Sequence, residues 1–192
     1  MSTRLNRVTG GSAAASVAVA AVVGCGSSGA DVEYTAYNDD HFTIEVPEAW
    51  EAQEDTQTQE EEYRIHFSHP NGDYRIQVDY WSAELPSASA HLRELADANL
   101  ASADDPDNET SAYEQIEIRR EDPGGLPDGW DVAFYEYTHT NDTWTTPERH
   151  VATQAVSVGG QENYSIAFTV PAEAAEDYSG VWEHVFDSFE PR

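Results

Sequence analysis

The sequence contains no lysine, a single cysteine and no apolar run long enough for an ordinary membrane-spanning helix. Its nine basic residues are all arginines and stand against 37 acidic residues, so the formal net charge is −28. A surface this acidic repels DNA, RNA and anionic lipid headgroups, which excludes nucleic acid as a partner. One cysteine cannot form the paired disulfide framework that stabilises many small secreted domains.

The first 25 residues follow the pattern of a bacterial secretory signal. Arg4 and Arg7 carry the only charges before position 31, and they precede a run of small and apolar residues over 12–23. That run is about half of the roughly 20 residues that a membrane-spanning helix needs. A cleaved signal is therefore favoured over a retained transmembrane anchor.

The motif Val22-Val23-Gly24-Cys25 ends this segment and resembles the lipobox of bacterial lipoproteins. The resemblance implies cleavage before Cys25, acylation of its sulfur, for instance with palmitate, and anchoring at the extracytoplasmic face of the cytoplasmic membrane. The alternative is an ordinary signal peptide, which leaves Cys25 as a lone thiol in an oxidising compartment. The expected segments are a signal peptide over 1–24, a lipidated cysteine and flexible tether over 25–32, and a single domain over 33–192.

The acidic excess has two interpretations. Only seven arginines follow Cys25, whereas all 37 acidic residues do, for a net charge of −30. Adaptation to a salty exterior is one reading, because molar salt screens repulsion within a few ångströms. Drift in a GC-rich genome is the other, and it explains the missing lysines but not the acids.

Low hydrophobicity with high charge is also typical of disorder. Five Trp, ten Tyr and six Phe, however, lie in patterned segments and predict a folded domain, which is expected to be a monomer.

Alternating apolar and polar residues predict an antiparallel sheet. The Asn71-Gly72 pair lies between two alternating runs and is a strong signal for a hairpin turn. A Gly159-Gly160 pair marks another turn. The alternating segments are 42–46, 63–67, 74–80, 113–120, 130–140, 149–158 and 164–170.

Two segments have helical periodicity. One opens at Pro86-Ser87 and continues to about residue 102, with several apolar residues near one face. The other starts at Pro171, has acidic residues in its early turns and stops at Pro191. The order of strands, helix, strands and helix predicts an α+β fold, in which an antiparallel β-sheet of about six or seven strands packs with two main helices.

Two stretches carry a family resemblance. Phe42-Thr-Ile-Glu-Val-Pro-Glu-Ala-Trp50 resembles the opening motif of the PsbP-like family, and the segment from Tyr164 to Phe189 resembles its final strand and helix. Similar modules occur as actinobacterial lipoproteins and as extracellular domains of Ser/Thr kinases, and the plant relatives are extrinsic photosystem II subunits. The resemblance implies a PsbP-like α/β sandwich that acts as an accessory or binding module, with no catalytic motif to carry over.

An acidic loop is a candidate cation site. Asp105, Asp107 and Glu109 have the alternate spacing of oxygen ligands in a calcium loop. The loop lacks the central glycine and the distal bidentate glutamate of such sites. Millimolar cation binding and a simply solvated acidic loop are the two interpretations, and no dedicated metal site is expected.

One strand face is a candidate ligand groove. Tyr135, Tyr137 and His139 alternate with Phe134 and its neighbours, so they share one face of the strand. These side chains line a ligand groove if that face is open. If a helix or a loop covers the face, they belong to the core.

The histidines are weaker candidates. His66 and His69 form an H-x-x-H pair, but strand positions three apart point to opposite faces, which argues against a shared metal. His139 and His150 flank a loop that contains Trp144, and a hairpin would bring them near each other. All four histidines are expected at the surface.

No nucleophile motif of the G-x-S-x-G type is present, and lipidation consumes the only thiol, so we predict a protein that is not an enzyme and has no cofactor. The main functional prediction is a lipid-anchored, extracytoplasmic binding or accessory module with an unknown protein partner. The alternative is a lipoprotein that binds a small molecule or a cation and acts with a membrane partner.

Overall fold

The computed structural model describes residues 32–54, 62–103, 110–120, 126–141 and 148–192, and only the backbone at 102–103, 110–120 and 141. Within these ranges the chain forms ten strands and two α-helices. The elements are β1 (Tyr34–Asn38), β2 (Phe42–Pro47), β3 (Glu51–Glu54), β4 (Glu62–Ser68), β5 (Arg75–Ser82), α1 (Ala88–Ala103), β6 (Thr110–Arg120), β7 (Trp130–Asn141), β8 (Glu148–Val158), β9 (Glu162–Pro171), α2 (Ala175–Asp187) and β10 (Glu190–Pro191).

The strands form two antiparallel sheets. The larger has seven strands in the order β3-β4-β5-β9-β8-β7-β6, and the smaller has three in the order β1-β2-β10. The predicted α+β class, with a sheet of about six or seven strands and two main helices, is confirmed. The smaller sheet was not predicted.

Tight turns connect neighbouring strands where the sequence signals them. Gly72, in the β4–β5 turn, has a φ of +79°, and Gly159 and Gly160, between β8 and β9, have φ values of +61° and +72°. These left-handed conformations suit glycine because a Cβ atom would strain the backbone. The turns fix the register of both hairpins.

The main core lies between one face of the large sheet and a layer made of α2 and the small sheet. Phe42 and Ile44 of β2 pack with Ile76, Ile166 and other apolar side chains of the large sheet, and all four named residues are fully buried. A hydrogen bond between His184 Nε2 and Glu45 Oε2 (2.8 Å) ties α2 to β2. The apolar residues of the alternating segment 42–46, namely Phe42, Ile44 and Val46, are all buried on the core side of β2.

Helix α1 covers the opposite face of β6, β7 and β8. Its start is set by Ser87, whose Oγ accepts a hydrogen bond from the Ala90 amide, and by Asp131, whose carboxylate accepts one from the Ala88 amide at 2.7 Å. Leu92 and Ala96 pack there on a second, smaller core. In the described ranges, neither helix is both long and apolar enough to cross a membrane.

Candidate functional site

Two sets of predicted site residues fall outside the described ranges, namely Val22, Val23, Gly24 and Cys25 of the lipobox-like motif and Asp105, Asp107 and Glu109 of the acidic loop. Trp144 falls outside them as well. Lipidation and cation binding by the loop stay predictions.

The face that carries Tyr135, Tyr137 and His139 lies under α1. Tyr135 has no exposed surface and stacks on Tyr137, with ring centroids 4.9 Å apart. Tyr137 hydrogen-bonds Asn99 of α1, and burial raises the pKa of its hydroxyl. This face was predicted to be either an open ligand groove or a surface covered by a helix or a loop. Helix α1 covers it, so Tyr135 is a core residue and does not line a groove.

His139 and His150 do not meet. His139 is opposite Arg149 in the β7–β8 register, which places it on the α1 face, whereas His150 is opposite Thr138 and stacks on Trp182 of α2. The two imidazoles therefore lie on opposite faces of the sheet. His150 is also only 6% exposed, so its predicted surface position is wrong.

His66 and His69 have separate surroundings. Arg75 Nη2 donates a hydrogen bond to His66 Nδ1 at 2.8 Å, across the β4–β5 pair. His69 lies just after β4, where its Nδ1 is 2.8 Å from Asn71 Oδ1 and its ring meets Trp50 edge-on. In the part of the chain that is described, no three His, Cys, Asp or Glu side chains converge as a metal site would require.

A cleft of about 210 Å³ lies between α2 and strand β7. We call it the α2–β7 cleft. It combines three aromatic rings with three carboxylates: Phe134, Glu136, Trp182, Glu183, Phe186 and Asp187. Helical geometry places Trp182 one turn before Phe186 and Glu183 one turn before Asp187, so the two rings share one side of α2 and the two acids share an adjacent one.

The electrostatics of the α2–β7 cleft centre on Glu136. Its Oε2 atom is 3.7 Å from Nε2 of His150, and the His150 ring stacks on Trp182 with centroids 5.2 Å apart. Burial lowers the pKa of His150, and attraction to Glu136 opposes that shift less strongly. The imidazole is therefore neutral at neutral pH and does not compensate the charge of Glu136.

A second cleft, of about 500 Å³, lies where the chain enters the domain, and we call it the Trp50 cleft. Its lining includes Glu33, Glu48, Trp50, His69, Tyr178 and Val181. Trp50 stacks on Phe168 of the core, and Tyr178 stacks on Tyr74, so the aromatic walls are fixed from behind. Val32, the first described residue, also lines this cleft.

The sequence did not predict the α2–β7 cleft because its residues are about 50 positions apart and become neighbours only in the fold, where the rings of Phe134 and Phe186 come within 6.0 Å. A partial signal was present in the repeat of an aromatic residue followed by an acid, at Trp182-Glu183 and Phe186-Asp187. No described residue of either cleft is a cysteine, serine or lysine. The clefts therefore offer binding chemistry, based on rings and carboxylates, rather than nucleophiles of those types.

Taken together, the two sheets, the flanking helices and the surface clefts define an α+β module of the PsbP-like fold. Residues 35–191 match the family described as the serine/threonine kinase C-terminal domain, and the chain belongs to that family. No curated protein matches the chain. The 192 residues contain no lysine, so the ATP-binding lysine that protein kinases use is absent from them.

Solved structures show the same fold. The solution structure of cyanobacterial PsbP (CyanoP) from Synechocystis sp. PCC 6803 has a TM-score of 0.61 at 17% identity and covers 88% of this chain and 98% of its own. LpqN, involved in cell envelope biogenesis of Mycobacterium tuberculosis, has a TM-score of 0.50 at 12% identity and covers 84% of this chain and 91% of its own. At these identities the likeness concerns the fold, which confirms the predicted PsbP-like family.

Proposed function

We propose that this protein is a lipid-anchored, non-enzymatic binding or accessory module at the extracytoplasmic face of the bacterial cytoplasmic membrane. One observation carries the proposal: the only cysteine, Cys25, ends a lipobox-like motif nine residues before β1 begins at Tyr34. A tether of that length has a root-mean-square reach of about 15 Å, so the domain stays close to the bilayer.

The comparisons support an envelope role. The chain belongs to the serine/threonine kinase C-terminal domain family, and LpqN, which has the same fold, is involved in cell envelope biogenesis. A module of this kind acts by contact with another envelope component. Its net charge makes nucleic acid and anionic lipid headgroups unsuitable partners.

The packing of the interior supports surface binding rather than enclosure of a ligand. Phe42, Phe168 and Ile166 are fully buried in the main core, where the large sheet packs with α2 and the small sheet. Both clefts are therefore surface features. A second candidate function, binding of a small molecule or a cation, is favoured by the rings and acids of the α2–β7 cleft.

The anchor is tested with the Cys25→Ser variant. Acyl chains stabilise membrane binding by about 0.8 kcal/mol per buried CH₂ group, so we expect the variant to leave the membrane fraction. The measurement is fractionation after a high-salt wash, together with the mass of the mature N-terminus in the wild type. Ser27→Ala, a conservative change in the tether, is the control and stays in the membrane fraction. Retention of the serine variant after the wash would show that the lipoprotein proposal is wrong.

The accessory role is tested by crosslinking in intact membranes. We expect the wild type to crosslink to a membrane or envelope protein and Cys25→Ser to lose that product, because the anchor brings the partners together. A product of equal yield from both proteins would contradict a role for the anchor in partner contact.

A further inference from the structure

The α2–β7 cleft has two kinds of groups that attract the same ligand. The rings of Trp182, Phe134 and Phe186 line it, and Phe134 and Phe186 lie 6.0 Å apart between centroids. A cation within about 6 Å of such a ring is attracted by its quadrupole, most strongly for Trp. Glu136, Glu183 and Asp187 add full negative charges around the rings.

A buried polar atom points to a missing partner. Among the described residues, Nε2 of His150 is buried and makes no hydrogen bond, and it is directed at Glu136 from 3.7 Å. The contact is too long for a hydrogen bond, so His150 leaves the Glu136 carboxylate able to pair with a cation in the cleft. In folded proteins a buried polar group without a partner is an exception, and a bound ion is one of its causes.

No arginine is among the described side chains that line the cleft. Arg119 of β6 is opposite Phe134 in the register, which makes it the nearest basic position on the neighbouring strand. A variant of Arg119 therefore tests whether this residue competes with a ligand for the cleft.

We propose that the α2–β7 cleft binds a small molecule with an alkylammonium head group, which lies between Trp182 and Phe134 and is neutralised by Glu136. The volume of about 210 Å³ is below the roughly 300–1,000 Å³ of pockets for drug-sized ligands, which suits a head group alone. This binding does not depend on the lipid anchor, and it goes beyond the accessory role proposed above.

The test compares choline with its uncharged isostere 3,3-dimethylbutan-1-ol. Calorimetric titration of the full-length protein in non-ionic detergent is expected to show choline bound at least about fivefold more tightly than the alcohol. Equal affinities, or binding of neither compound, would overturn the proposal. The comparison keeps shape constant and changes only charge.

Three variants locate the site. Glu136→Gln is expected to weaken choline binding by about tenfold, since it removes a charge that contacts the ligand. Glu176→Gln, which removes an exposed acid from the same helix outside the cleft, is the matched control and leaves affinity unchanged. An equal loss of choline affinity in both variants would mean that net charge alone explains the effect, and it would contradict the proposal.

The third variant is Arg119→Gln. If choline binds the wild type, this change is expected to leave affinity within about twofold, or to raise it by reducing local repulsion. Binding by Arg119→Gln with none by the wild type would show that the chain fills the cleft itself, and the proposal would be wrong. The anchor experiment and this titration are independent, so failure of one leaves the other intact.

Discussion

His150 shows how one side chain connects the core to the α2–β7 cleft. Its ring is enclosed between strand β8 and α2, where it stacks on Trp182, and its Nε2 faces Glu136. Burial disfavours the imidazolium, so the folded protein binds this proton more weakly than the unfolded chain does. The same cause lowers the pKa of His91 and His139.

The lowered pKa of His150 predicts acid sensitivity. Below the pKa of about 6.5 that His150 has in the unfolded chain, the unfolded state binds a proton that the folded state does not. The stability present at neutral pH is therefore lost as the pH falls from about 6.5 towards the lower pKa of His150 in the folded state. In molar KCl, we expect the free energy of unfolding to fall from about pH 7.5 to about pH 5.5, and to fall less in His150→Gln. Urea unfolding followed by tryptophan fluorescence measures both slopes, with His66→Gln as the control. Equal slopes in His150→Gln and the wild type would contradict a buried neutral His150.

Position along a strand decides whether a charged or polar side chain is available for binding. Glu136 and Tyr137 are neighbours in β7, yet one lines the α2–β7 cleft and the other contacts Asn99 under α1. The alternation of a strand puts them on opposite faces. The sequence predicts that alternation, but it does not say which face a helix covers.

At the scale of elements, α1 binds the sheet through a narrow apolar stripe. Ala88, Ala96 and Ala155 allow the helix to approach closely, and among the described side chains Leu92 is the one large aliphatic residue that is fully buried there. Leu100, on the same helix, is 43% exposed. Leu92 and Leu100, which the helical periodicity places near one face, therefore differ in burial.

These two leucines provide a matched test of how α1 is held. Leu92→Ala is expected to cost about 2–5 kcal/mol, because it leaves a cavity next to Tyr135. Leu100→Ala is expected to change the free energy of unfolding by no more than about 0.5 kcal/mol. Urea denaturation of both variants, in the same buffer, gives the comparison. Similar costs for both would mean that α1 does not pack as described.

The elements that the sequence predicted are those with clear periodicity. Strands β4, β5, β7, β8 and β9 have long alternating patterns, and each forms close to its expected bounds. Strands β1, β3 and β10 were missed, since β3 is four residues long with every side chain exposed and β10 is only two residues long. Their pairing depends on tertiary neighbours rather than on local pattern.

The candidate site was harder to predict than the fold. The aromatic face at Tyr135 was identified as a shared surface, but its cover came from a helix more than 30 residues earlier in the chain. The α2–β7 cleft depends on the order β9-β8-β7, which periodicity does not encode. Registers and faces follow from local sequence, whereas the neighbours of an element follow from the whole fold.

At the scale of the whole molecule, the large sheet separates two surfaces with different covers. On one face, α2 and the small sheet leave the α2–β7 cleft and the Trp50 cleft open at their edges. On the other face, α1 packs on β6, β7 and β8. Both clefts thus occur on the side of the sheet that the main core occupies, and both include carboxylates.

The charge of the molecule predicts how its stability depends on salt. The residues after Cys25 carry a net charge of −30, and these like charges repel one another in the folded state. The distance over which they interact, the Debye length, falls from about 10 Å at 0.1 M salt to about 3 Å at 1 M. We expect at least about 2 kcal/mol of stabilisation between dilute buffer and molar KCl, which for a domain of this size raises the melting temperature by about 4–8 °C. Thermal melts in potassium chloride and sodium chloride measure the effect, and equal rises in the two salts identify screening rather than binding of one ion. A flat response would remove the argument for salt adaptation and leave compositional drift as the origin of the acidic surface.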